Sequence, residues 1–333
     1  MKAFLRGISY YLPEKKLTNE TLVNEFPEWT AEKVAQKIGI SKRHIAAENE
    51  TSADMAVDAG KMLFKEYNIN PKDIDFVILC TQSPDYFLPT SACIIQNKLD
   101  IPVHAGAFDF NLGCSGFVYG LALAKGLIVG KMAKNVLLIT SETYSKFMHP
   151  TDKSNRTIFG DAAAASLISI DGYAEIMDFS FGTDGSGAEN LIVRSGGLRS
   201  PGTKKDLMFD DSGNPLSSDY LYMNCTEIFN FTLEMVPLLV TDTLRKNSLP
   251  QEEVDLFVFH QANKYMLNFL RKKIKIPEEK FYYCLDHVGN TVSSTIPIAI
   301  YEAQKEDRIK KGNKVLLAGF GVGYSWAGTV LRF

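Results

Sequence analysis

The chain contains the stretch NPKDIDFVILC at residues 70–80 and a similar stretch, PQEEVDLFVFH, at residues 250–260. In each, a turn with proline and acidic residues leads to an aspartate, and then to a short apolar run that ends in a reactive side chain. The two aspartates, Asp75 and Asp255, are 180 positions apart (255 − 75). Internal similarity at a fixed offset predicts a duplicated fold.

Two more pairs of segments repeat at nearly the same offset. Residues 134–138 (KNVLL) resemble residues 313–317 (NKVLL) at an offset of 179 positions (313 − 134). Residues 112–114 (LGC) match residues 288–290 (VGN) at an offset of 176 positions (290 − 114). One match between short apolar strands can arise by chance, but three favour a duplicated half of about 180 residues.

Apolar periodicity alternates between helix and strand in both halves, which we predict to span residues 1–172 and 173–333. The predicted helices are residues 55–67, 93–99, 114–130, 226–246 and 266–273, and the predicted strands are residues 75–80, 136–140, 256–259 and 315–318. This alternation predicts an α/β architecture with buried sheets. A stretch rich in Gly, Ser, Pro and charge at residues 196–218 predicts a surface insertion.

Composition excludes several classes of protein. The length of 333 residues predicts about two domains at roughly 150 residues each. Hydrophobic residues make up 45% and charged residues 23%, which excludes a disordered or fibrous chain. The net charge of −3 provides no global attraction to nucleic acid or to an acidic membrane surface. We therefore expect no nucleic-acid partner.

The N-terminal residues and the cysteines predict a cytoplasmic protein. Charges at positions 2, 6, 14, 15 and 16 leave no room for the apolar core of a signal peptide. The longest uncharged run, residues 315–331, is rich in glycine and predicts a strand–turn–strand unit without membrane insertion. The five cysteines never occur as Cys-x-x-Cys, which disfavours a disulfide framework or a zinc site.

Cys114 lies in the segment NLGCSGF, where a strand-like run gives way to a helix that carries almost no charge before Lys125. The positive end of the helix dipole favours a thiolate, so we expect the pKa of Cys114 to lie below about 8.5. The neighbouring glycines, Gly113 and Gly116, permit a sharp turn and the close approach of a substrate. The alternative is a buried, inert cysteine.

His260 and Asn290 are weaker signals when each is taken alone. His260 ends a predicted strand and is equally compatible with a structural, hydrogen-bonded histidine. Asn290 precedes a Ser/Thr cluster and is equally compatible with a helix N-cap. The repeat connects them, because His260 corresponds to Cys80 and Asn290 corresponds to Cys114. We therefore expect the strand ends and the helix starts of the two halves to lie at one centre. This would bring the thiol of Cys114, the imidazole of His260 and the amide of Asn290 together.

These segments resemble the β-ketoacyl-[acyl-carrier-protein] synthase III family of the thiolase superfamily. The resemblance is carried by NLGCSGF around Cys114, HQAN from His260, GNT around Asn290 and GFGVGYSW at residues 319–326, and it runs nearly from end to end. It implies a thiolase-like duplicated fold, in which two similar α/β halves form five layers, α-β-α-β-α, and assemble as a homodimer.

The resemblance also implies a mechanism that starts fatty acid synthesis. Cys114 would take an acyl group from acyl-CoA, and a malonyl thioester on acyl carrier protein would then lose CO₂ and attack the acyl-cysteine. His260 and Asn290 would donate hydrogen bonds to the malonyl thioester oxygen. The backbone N–H groups of Cys114 and Val322 would form the oxyanion hole of the acyl-cysteine intermediate. No metal or redox cofactor is implied.

Further residues are assigned by the same resemblance to substrate binding. Asn263 would bond the pantetheine arm, and Arg156 would pack on the nucleotide of coenzyme A, with Trp29 as its partner. Phe320 would contribute to the same site.

Two more roles involve partner proteins. A basic run, Arg271, Lys272 and Lys273, would dock the acidic acyl carrier protein, although a solvated helix face is an equal alternative. Leu88 stands where many members carry an aromatic gate that reaches into the partner subunit's acyl tunnel.

The sequence departs from the family pattern at several points. Alanines replace glycines within residues 160–165, Val322 replaces the middle glycine of a Gly-Gly-Gly run, and Cys225 replaces a small glycine. These changes bear on the choice of acyl chain more than on the type of reaction.

Three other functions remain open at this point. The first is a same-fold acyltransferase or condensing enzyme of a specialised pathway, with a different starter or acceptor. The second is a non-catalytic partner subunit, although such chains usually lack the nucleophile. The third is a thiol hydrolase, which would need His260 as the general base for Cys114 and would leave Asn290 and the basic run unexplained.

Overall fold

The structure is a computed structural model that describes residues 1–211 and 213–333. The helices are α1 (Asn19–Glu25), α2 (Ala31–Ile38), α3 (Ser52–Glu66), α4 (Ser91–Lys98), α5 (Gly116–Val129), α6 (Lys153–Arg156), α7 (Cys225–Lys246), α8 (Lys264–Ile274) and α9 (Thr295–Lys305). The strands of the main sheet are β1 (Phe4–Tyr11), β4 (Phe76–Cys80), β5 (Gly106–Phe110), β6 (Asn135–Glu142), β7 (Ala162–Ser169), β8 (Ala174–Thr183), β13 (Leu256–Phe259), β14 (Lys314–Gly321) and β15 (Ser325–Arg332). Short strands outside it are β2 (Lys15–Thr18), β3 (Lys42–Ile45), β9 (Leu191–Ile192), β10 (Met208–Phe209), β11 (Pro215–Leu216) and β12 (Tyr222–Met223).

The main sheet is built from two half-sheets of matching topology, in the order β13-β14-β15-β8-β1-β7-β6-β4-β5. In the N-terminal half, β4 pairs in parallel with β6, and β7 and β1 follow antiparallel. In the C-terminal half, β13 pairs in parallel with β14, and β15 and β8 follow antiparallel. The two half-sheets meet where β1 pairs with β8, through Phe4 with Glu175 and Leu5 with Ala174.

The predicted repeat is confirmed at the level of single hydrogen bonds. The backbone N–H of Asp75 donates to the carbonyl of Asn135 (3.0 Å), and its carboxylate accepts from the N–H of the same residue (2.9 Å). Asp255 likewise donates to the carbonyl of Lys314 (2.9 Å) and accepts from the N–H of the same residue (2.7 Å). Each aspartate therefore ties the start of its strand, β4 or β13, to the start of the parallel neighbour, β6 or β14.

The helices form three layers around the half-sheets. α5 and α9 contact strands of both halves and lie between them. α3 and α4 cover the other face of the N-terminal half-sheet, while α7 covers the C-terminal half-sheet and packs against α8. The result is the expected five-layer α-β-α-β-α fold. The predicted boundary at residue 172, which falls between β7 and β8, stays a prediction.

The predicted elements of the sequence are present, with shifted ends. The helix expected from Cys114 begins at Gly116, with Ser115 at its N-cap, and its inward face is fully buried. The strand expected at residues 136–140 extends to Glu142. The described residues of the expected insertion at 196–218 are mostly exposed and contain the β10–β11 hairpin, so the surface position is confirmed.

A close backbone contact joins α5 to the C-terminal half-sheet. A Cβ atom built on Gly319 of β14 would lie 2.8 Å from the Cα atom of Ser115 and 2.9 Å from the carbonyl oxygen of Cys114. Beside this contact, the hydroxyls of Ser115 and Ser325 lie 2.6 Å apart. Because any side chain at position 319 would push away the loop that carries Cys114, this approach requires glycine.

We expect the substitution Gly319→Ala to lower the free energy of unfolding by about 1–3 kcal/mol, which is the usual cost of overpacking an interior. The matched control is Gly126→Ala on the exposed face of α5, where an added Cβ meets no heavy atom within 4 Å. Removing a glycine from that helix should raise the stability by about 0.5–1 kcal/mol. Urea unfolding followed by circular dichroism measures both changes. An unchanged stability of Gly319→Ala would refute the close contact.

Candidate active site

Cys114, His260 and Asn290 line one cavity of about 770 Å³. Cys114 comes from the loop between β5 and α5, His260 directly follows β13, and Asn290 lies in the loop before α9. The three side chains are nearly buried, with 6%, 2% and 4% of their residue surface exposed. The structure thus brings together the thiol, the imidazole and the amide that the two halves contribute separately.

The ionisation of Cys114 differs from the sequence-based expectation. Burial raises the pKa of the thiol to about 12, and the nearby carboxyl of Glu142 acts in the same direction. Backbone N–H groups of Val322 and of Cys114 itself lower the pKa, but by less than burial raises it. The expected thiolate at the helix N-terminus was therefore wrong, because removal from water outweighs the dipole. Burial therefore favours the thiol over the thiolate at neutral pH.

The backbone around residue 321 fits closely over the sulfur of Cys114. A Cβ atom built on Gly321 would lie 2.7 Å from the Sγ atom of Cys114, so no larger residue fits here. The backbone N–H of the next residue, Val322, lowers the pKa of the Cys114 thiol. This N–H is one of the two that the resemblance implies for an oxyanion hole.

His260 is held as a neutral imidazole. Its backbone N–H donates to the carbonyl of Ala318 (2.8 Å), which anchors the residue to β14. Its ring nitrogen Nδ1 lies 2.8 Å from the hydroxyl of Thr295 at the start of α9. Burial lowers the pKa of the ring to about 3, and the carbonyl of Val292 opposes that shift only weakly. The nitrogen Nε2 therefore remains for the cavity that His260 lines.

Asn290 is fixed by its own loop. Its backbone N–H donates to Ile158 and its carbonyl accepts from Gly160, both at 3.0 Å, so the loop is anchored in the N-terminal half. The side-chain oxygen Oδ1 accepts from the backbone N–H of Val292 at 2.9 Å. Because the oxygen is engaged in this way, the amide nitrogen Nδ2 is the group that can donate to a ligand.

Glu142 is a buried carboxyl behind the site that the sequence analysis missed. It accepts hydrogen bonds from the backbone N–H of Gln82 (3.0 Å) and from the hydroxyls of Ser83 (3.3 Å) and Ser293 (3.0 Å). Burial raises the pKa of Glu142 to about 8. The carboxyl thus connects the loop after β4 to the segment that follows Asn290. The only signal in the sequence was an acidic residue just beyond an apolar strand.

Three of the four residues expected to bind the substrate line the cavity, namely Asn263, Phe320 and Trp29. Asn263 is the N-cap of α8, where its Oδ1 accepts from the N–H of Met266 (2.9 Å). The edge of Phe320 packs against the ring of His260, with ring centroids 5.8 Å apart.

Arg156 is placed differently from the other three. Its guanidinium bonds the carboxylate of Glu25 at 2.6 Å and lies over the ring of Phe26, with 5.6 Å to the ring centroid. That ring also contacts Trp29, at a centroid distance of 5.9 Å. Phe26 therefore stands between the two residues that the sequence analysis expects to pair, and the nucleotide role of Arg156 stays a prediction.

The predicted partner-binding residues lie on the surface. Leu88 is 82% exposed and belongs to an exposed apolar run with Tyr86 and Phe87. On α8, Lys272 and Lys273 are exposed.

Arg271, the first residue of the basic run, is largely covered. Its side chain is only 12% exposed and pairs with Glu278 at 3.1 Å. The docking role of this run stays a prediction.

Two further observations concern only residues 1–211 and 213–333. Within that part of the chain, no cluster of three or more His, Cys, Asp or Glu side chains is arranged to hold a metal ion. None of the helices described there combines the length and apolarity that are needed to cross a bilayer.

The raised pKa of Cys114 gives a testable pH dependence. We expect the rate of alkylation of Cys114 by iodoacetamide to rise about tenfold per pH unit from pH 7 to pH 10, because only the thiolate reacts. Peptide mass spectrometry measures the rate at each pH, and Cys114→Ser identifies the peptide. A plateau in the rate below pH 9 would show that the thiol ionises more easily than its burial implies.

Comparisons with known proteins agree with this geometry. The family models of 3-oxoacyl-[acyl-carrier-protein] synthase III and of its C-terminal part match residues 108–185 and 244–333. A β-ketoacyl-[acyl-carrier-protein] synthase III of Clostridium perfringens is 36% identical over 98% of this chain and 98% of its own.

Solved structures extend the match to the whole fold. One 3-oxoacyl-(acyl-carrier-protein) synthase III is 48% identical over 100% of both chains, with a TM-score of 0.97. A 3-oxoacyl-(acyl-carrier protein) synthase of Burkholderia xenovorans is 36% identical, covers 99% of this chain and 94% of its own, and has a TM-score of 0.90. The chain therefore belongs to the β-ketoacyl-[acyl-carrier-protein] synthase III family of condensing enzymes, which are acyltransferases.

Proposed function

We propose that this enzyme transfers an acyl group from acyl-CoA to Cys114 and condenses it with malonyl-[acyl-carrier protein], which yields a 3-oxoacyl-[acyl-carrier protein] and initiates fatty acid synthesis. The observation that carries the proposal is the shared cavity of Cys114, His260 and Asn290. Each of these side chains has a polar group of the type that one step of this reaction needs.

In the first half-reaction, the sulfur of Cys114 attacks the thioester carbonyl of acyl-CoA. The new S–C bond forms, the bond to the sulfur of coenzyme A breaks, and the proton of Cys114 ends on the leaving thiol. The negative oxygen of the tetrahedral intermediate is held by the backbone N–H groups of Cys114 and Val322. The stabilising effect of the Val322 N–H on a negative charge at Cys114 supports this role.

In the second half-reaction, the malonyl group loses CO₂ and leaves an enolate. The Nδ2 group of Asn290, together with His260 when its Nε2 carries a proton, holds the developing oxyanion. Donors of this kind are worth about 10²–10³ in rate each. The enolate carbon then attacks the acyl-cysteine and forms the new C–C bond. The S–C bond to Cys114 breaks, and the thiolate takes up a proton from solvent to restore the thiol. Because the thioesters and the loss of CO₂ drive the reaction, we expect no metal or redox cofactor.

The proposed substrates are thioesters at the end of a long pantetheine arm. The residues that line the cavity are suited to binding that arm. Trp29, Asn263 and Phe320 line it together with the catalytic groups, which supports their assignment to the pantetheine arm. Phe229 and Tyr265 also line it, and their rings lie 5.8 Å apart on α7 and α8.

The same helix, α8, is the proposed docking site for acyl carrier protein. The exposed Lys272 and Lys273 would attract its acidic surface. Arg271 contributes less to this attraction, because Glu278 already neutralises its charge.

We propose a homodimer as the working form. The run Tyr86, Phe87 and Leu88 is 61–82% exposed, which is unusual for three consecutive large apolar residues. In the described sheet, β5 is the terminal strand and leaves one hydrogen-bonding edge open. A second copy would cover both features and would place Leu88 at its neighbour's acyl pocket. We expect the enzyme to act in the cytoplasm, where its free cysteines stay reduced.

The other functions are less well supported. The family models and the full-length relatives do not favour a specialised pathway over synthase III. A non-catalytic subunit would not need the complete set of Cys114, His260 and Asn290. A hydrolase would have no use for Nδ2 of Asn290, which its loop orients as a donor.

Incubation with acyl-CoA thioesters should add the mass of one acyl group to Cys114 and to no other residue. Cys114→Ala should abolish the labelling. The matched control is Cys225→Ser, because Cys225 lines the same cavity and should not be the acceptor. Intact-protein and peptide mass spectrometry follow the reaction. Absence of modification with short, branched and medium acyl chains would refute the proposed function.

We expect Asn290→Ala to leave the acylation of Cys114 within about threefold of the parent and to slow malonyl decarboxylation by about 10²–10³. Asn290→Asp distinguishes the role of the amide oxygen from that of the amide nitrogen. It keeps the oxygen that accepts from the N–H of Val292 and removes the Nδ2 donor. It should therefore lose decarboxylation as well. Release of labelled CO₂ from malonyl-[acyl-carrier protein] measures this step. Equal losses in both half-reactions would contradict the assignment.

A further inference from the structure

The thiol and the imidazole of the site are both anchored to one strand of the C-terminal half-sheet. Cys114 lies beside the backbone of Gly321 in β14, where an added Cβ would be 2.7 Å from its Sγ atom. The N–H of His260 donates to the carbonyl of Ala318 in the same strand (2.8 Å). The positions of these two groups therefore depend on β14.

The amide of Asn290 is anchored elsewhere, to residues 158–160 between α6 and β7. Its backbone N–H donates to the carbonyl of Ile158, and its carbonyl accepts from the N–H of Gly160, both at 3.0 Å. Ile158 also lines the cavity. The position of Asn290 in the site therefore depends on where this segment lies.

The start of this segment is held in turn by Arg43 of β3, whose side chain is fully buried. Its Nε atom donates to the carbonyl of Thr157 (2.7 Å), and Nη2 donates to the same carbonyl. Nη1 donates to Oδ1 of Asn19 (2.5 Å), and Nη2 also donates to the carbonyl of Ile40 (3.4 Å). Two nitrogens of one guanidinium thus fix the peptide that begins the segment on which Asn290 rests.

The aliphatic part of Arg43 packs against the turn that precedes Asn290. Gly289 has a left-handed φ of +77°, and a Cβ atom built on it would lie 3.1 Å from the Cγ atom of Arg43 and 3.2 Å from the carbonyl oxygen of Ile158. A Cβ atom built on Gly160 would lie 3.3 Å from the Cβ atom of Arg43. The same side chain therefore lies against both backbone segments that meet at Asn290.

The guanidinium of Arg43 is a buried cation with neutral hydrogen-bond partners, namely two carbonyls and an amide oxygen. Burial lowers its pKa to about 10, and the carboxylate of Asp286 acts in the opposite direction, so the side chain is still charged at neutral pH. Burying a charge in this way costs stability, which an apolar side chain of similar size would avoid. What an apolar side chain cannot supply is the fork of donors that bonds one carbonyl twice.

We propose that Arg43 is a positioning residue for the malonyl step, and that its guanidinium fixes the carbonyl of Thr157 so that Nδ2 of Asn290 lies where the malonyl thioester oxygen binds. Arg43 acts through the backbone and does not touch the substrate. The inference rests on the proposed function, in which Asn290 serves decarboxylation. Loss of this anchor should misplace Asn290 and leave Cys114, which β14 holds, in position.

Arg43→Lys tests the proposal, because lysine keeps the charge but has no planar fork of donors. At saturating substrate, we expect malonyl decarboxylation to slow by about tenfold or more, since a misplacement of about 1 Å can cost about 10²-fold. Single-turnover acylation of Cys114 should stay within about threefold of the parent, because its reacting groups keep their places. Arg43→Gln, which offers the carbonyl of Thr157 an amide without charge, is the second variant and should show the same difference between the two steps.

The matched control is Asn19→Ala. It removes another partner of the same guanidinium but keeps both bonds to Thr157. We expect both half-reactions of Asn19→Ala to stay within about threefold of the parent, because the anchor of Asn290 is intact. A loss of decarboxylation in this control as large as that in Arg43→Lys would overturn the proposal, since any damage around β3 would then suffice.

Crystal structures of the parent and of Arg43→Lys provide a measurement that needs no substrate. We expect Asn290 to move by more than about 0.5 Å relative to β14, which exceeds the tolerance of a catalytic group, while Cys114 stays in place. An unmoved Asn290, unchanged decarboxylation, or equal losses in both steps would overturn the proposal. A parent enzyme that accepts no acyl group would instead refute the proposed function, and the two crystal structures would still decide whether Arg43 positions Asn290.

Discussion

The active site depends on an approach of two backbones with no side chain between them. Gly319 and Gly321 of β14 lie against Cys114 and the start of α5, where an added Cβ would be 2.7–2.9 Å from the nearest atoms. This contact joins the C-terminal half-sheet to the central helix of the N-terminal half. It brings Cys114 to the side of the C-terminal half-sheet where His260, which directly follows β13, lines the same cavity.

The same close packing sets the electrostatics of the site. A cysteine near a helix N-terminus ionises readily in water, because the dipole and the free N–H groups stabilise the thiolate. Cys114 is 6% exposed, and its pKa rises to about 12 in spite of the N–H of Val322. His260 is affected in the opposite direction, because burial lowers the pKa of its ring to about 3. Burial thus favours the neutral form of both side chains.

Much of this fold can be predicted from the sequence, because a duplication repeats similar segments at a nearly constant offset. The aspartates at positions 75 and 255 make equivalent hydrogen bonds in the two halves, and the strands after them have the expected places. The repeat also predicted that Cys114, His260 and Asn290 would lie together, and all three line one cavity. It could not predict the pKa of Cys114, which depends on how completely the second half covers it. Glu142 and Thr295 were missed for a similar reason, since their partners are distant in sequence and only packing brings them together.

Val322 shows how the chain tolerates a departure from the family pattern within the site. A valine occupies the place of a small glycine, and its side chain fills the space beside Gly113, where an added Cβ would lie 2.6 Å from the Cγ1 atom of Val322. Because Gly113 has no side chain, there is room for the side chain of Val322. The backbone N–H of Val322 still lowers the pKa of the Cys114 thiol. The position of a backbone N–H depends on where the chain runs and not on which side chain it carries, so a valine at position 322 is compatible with the proposed oxyanion hole.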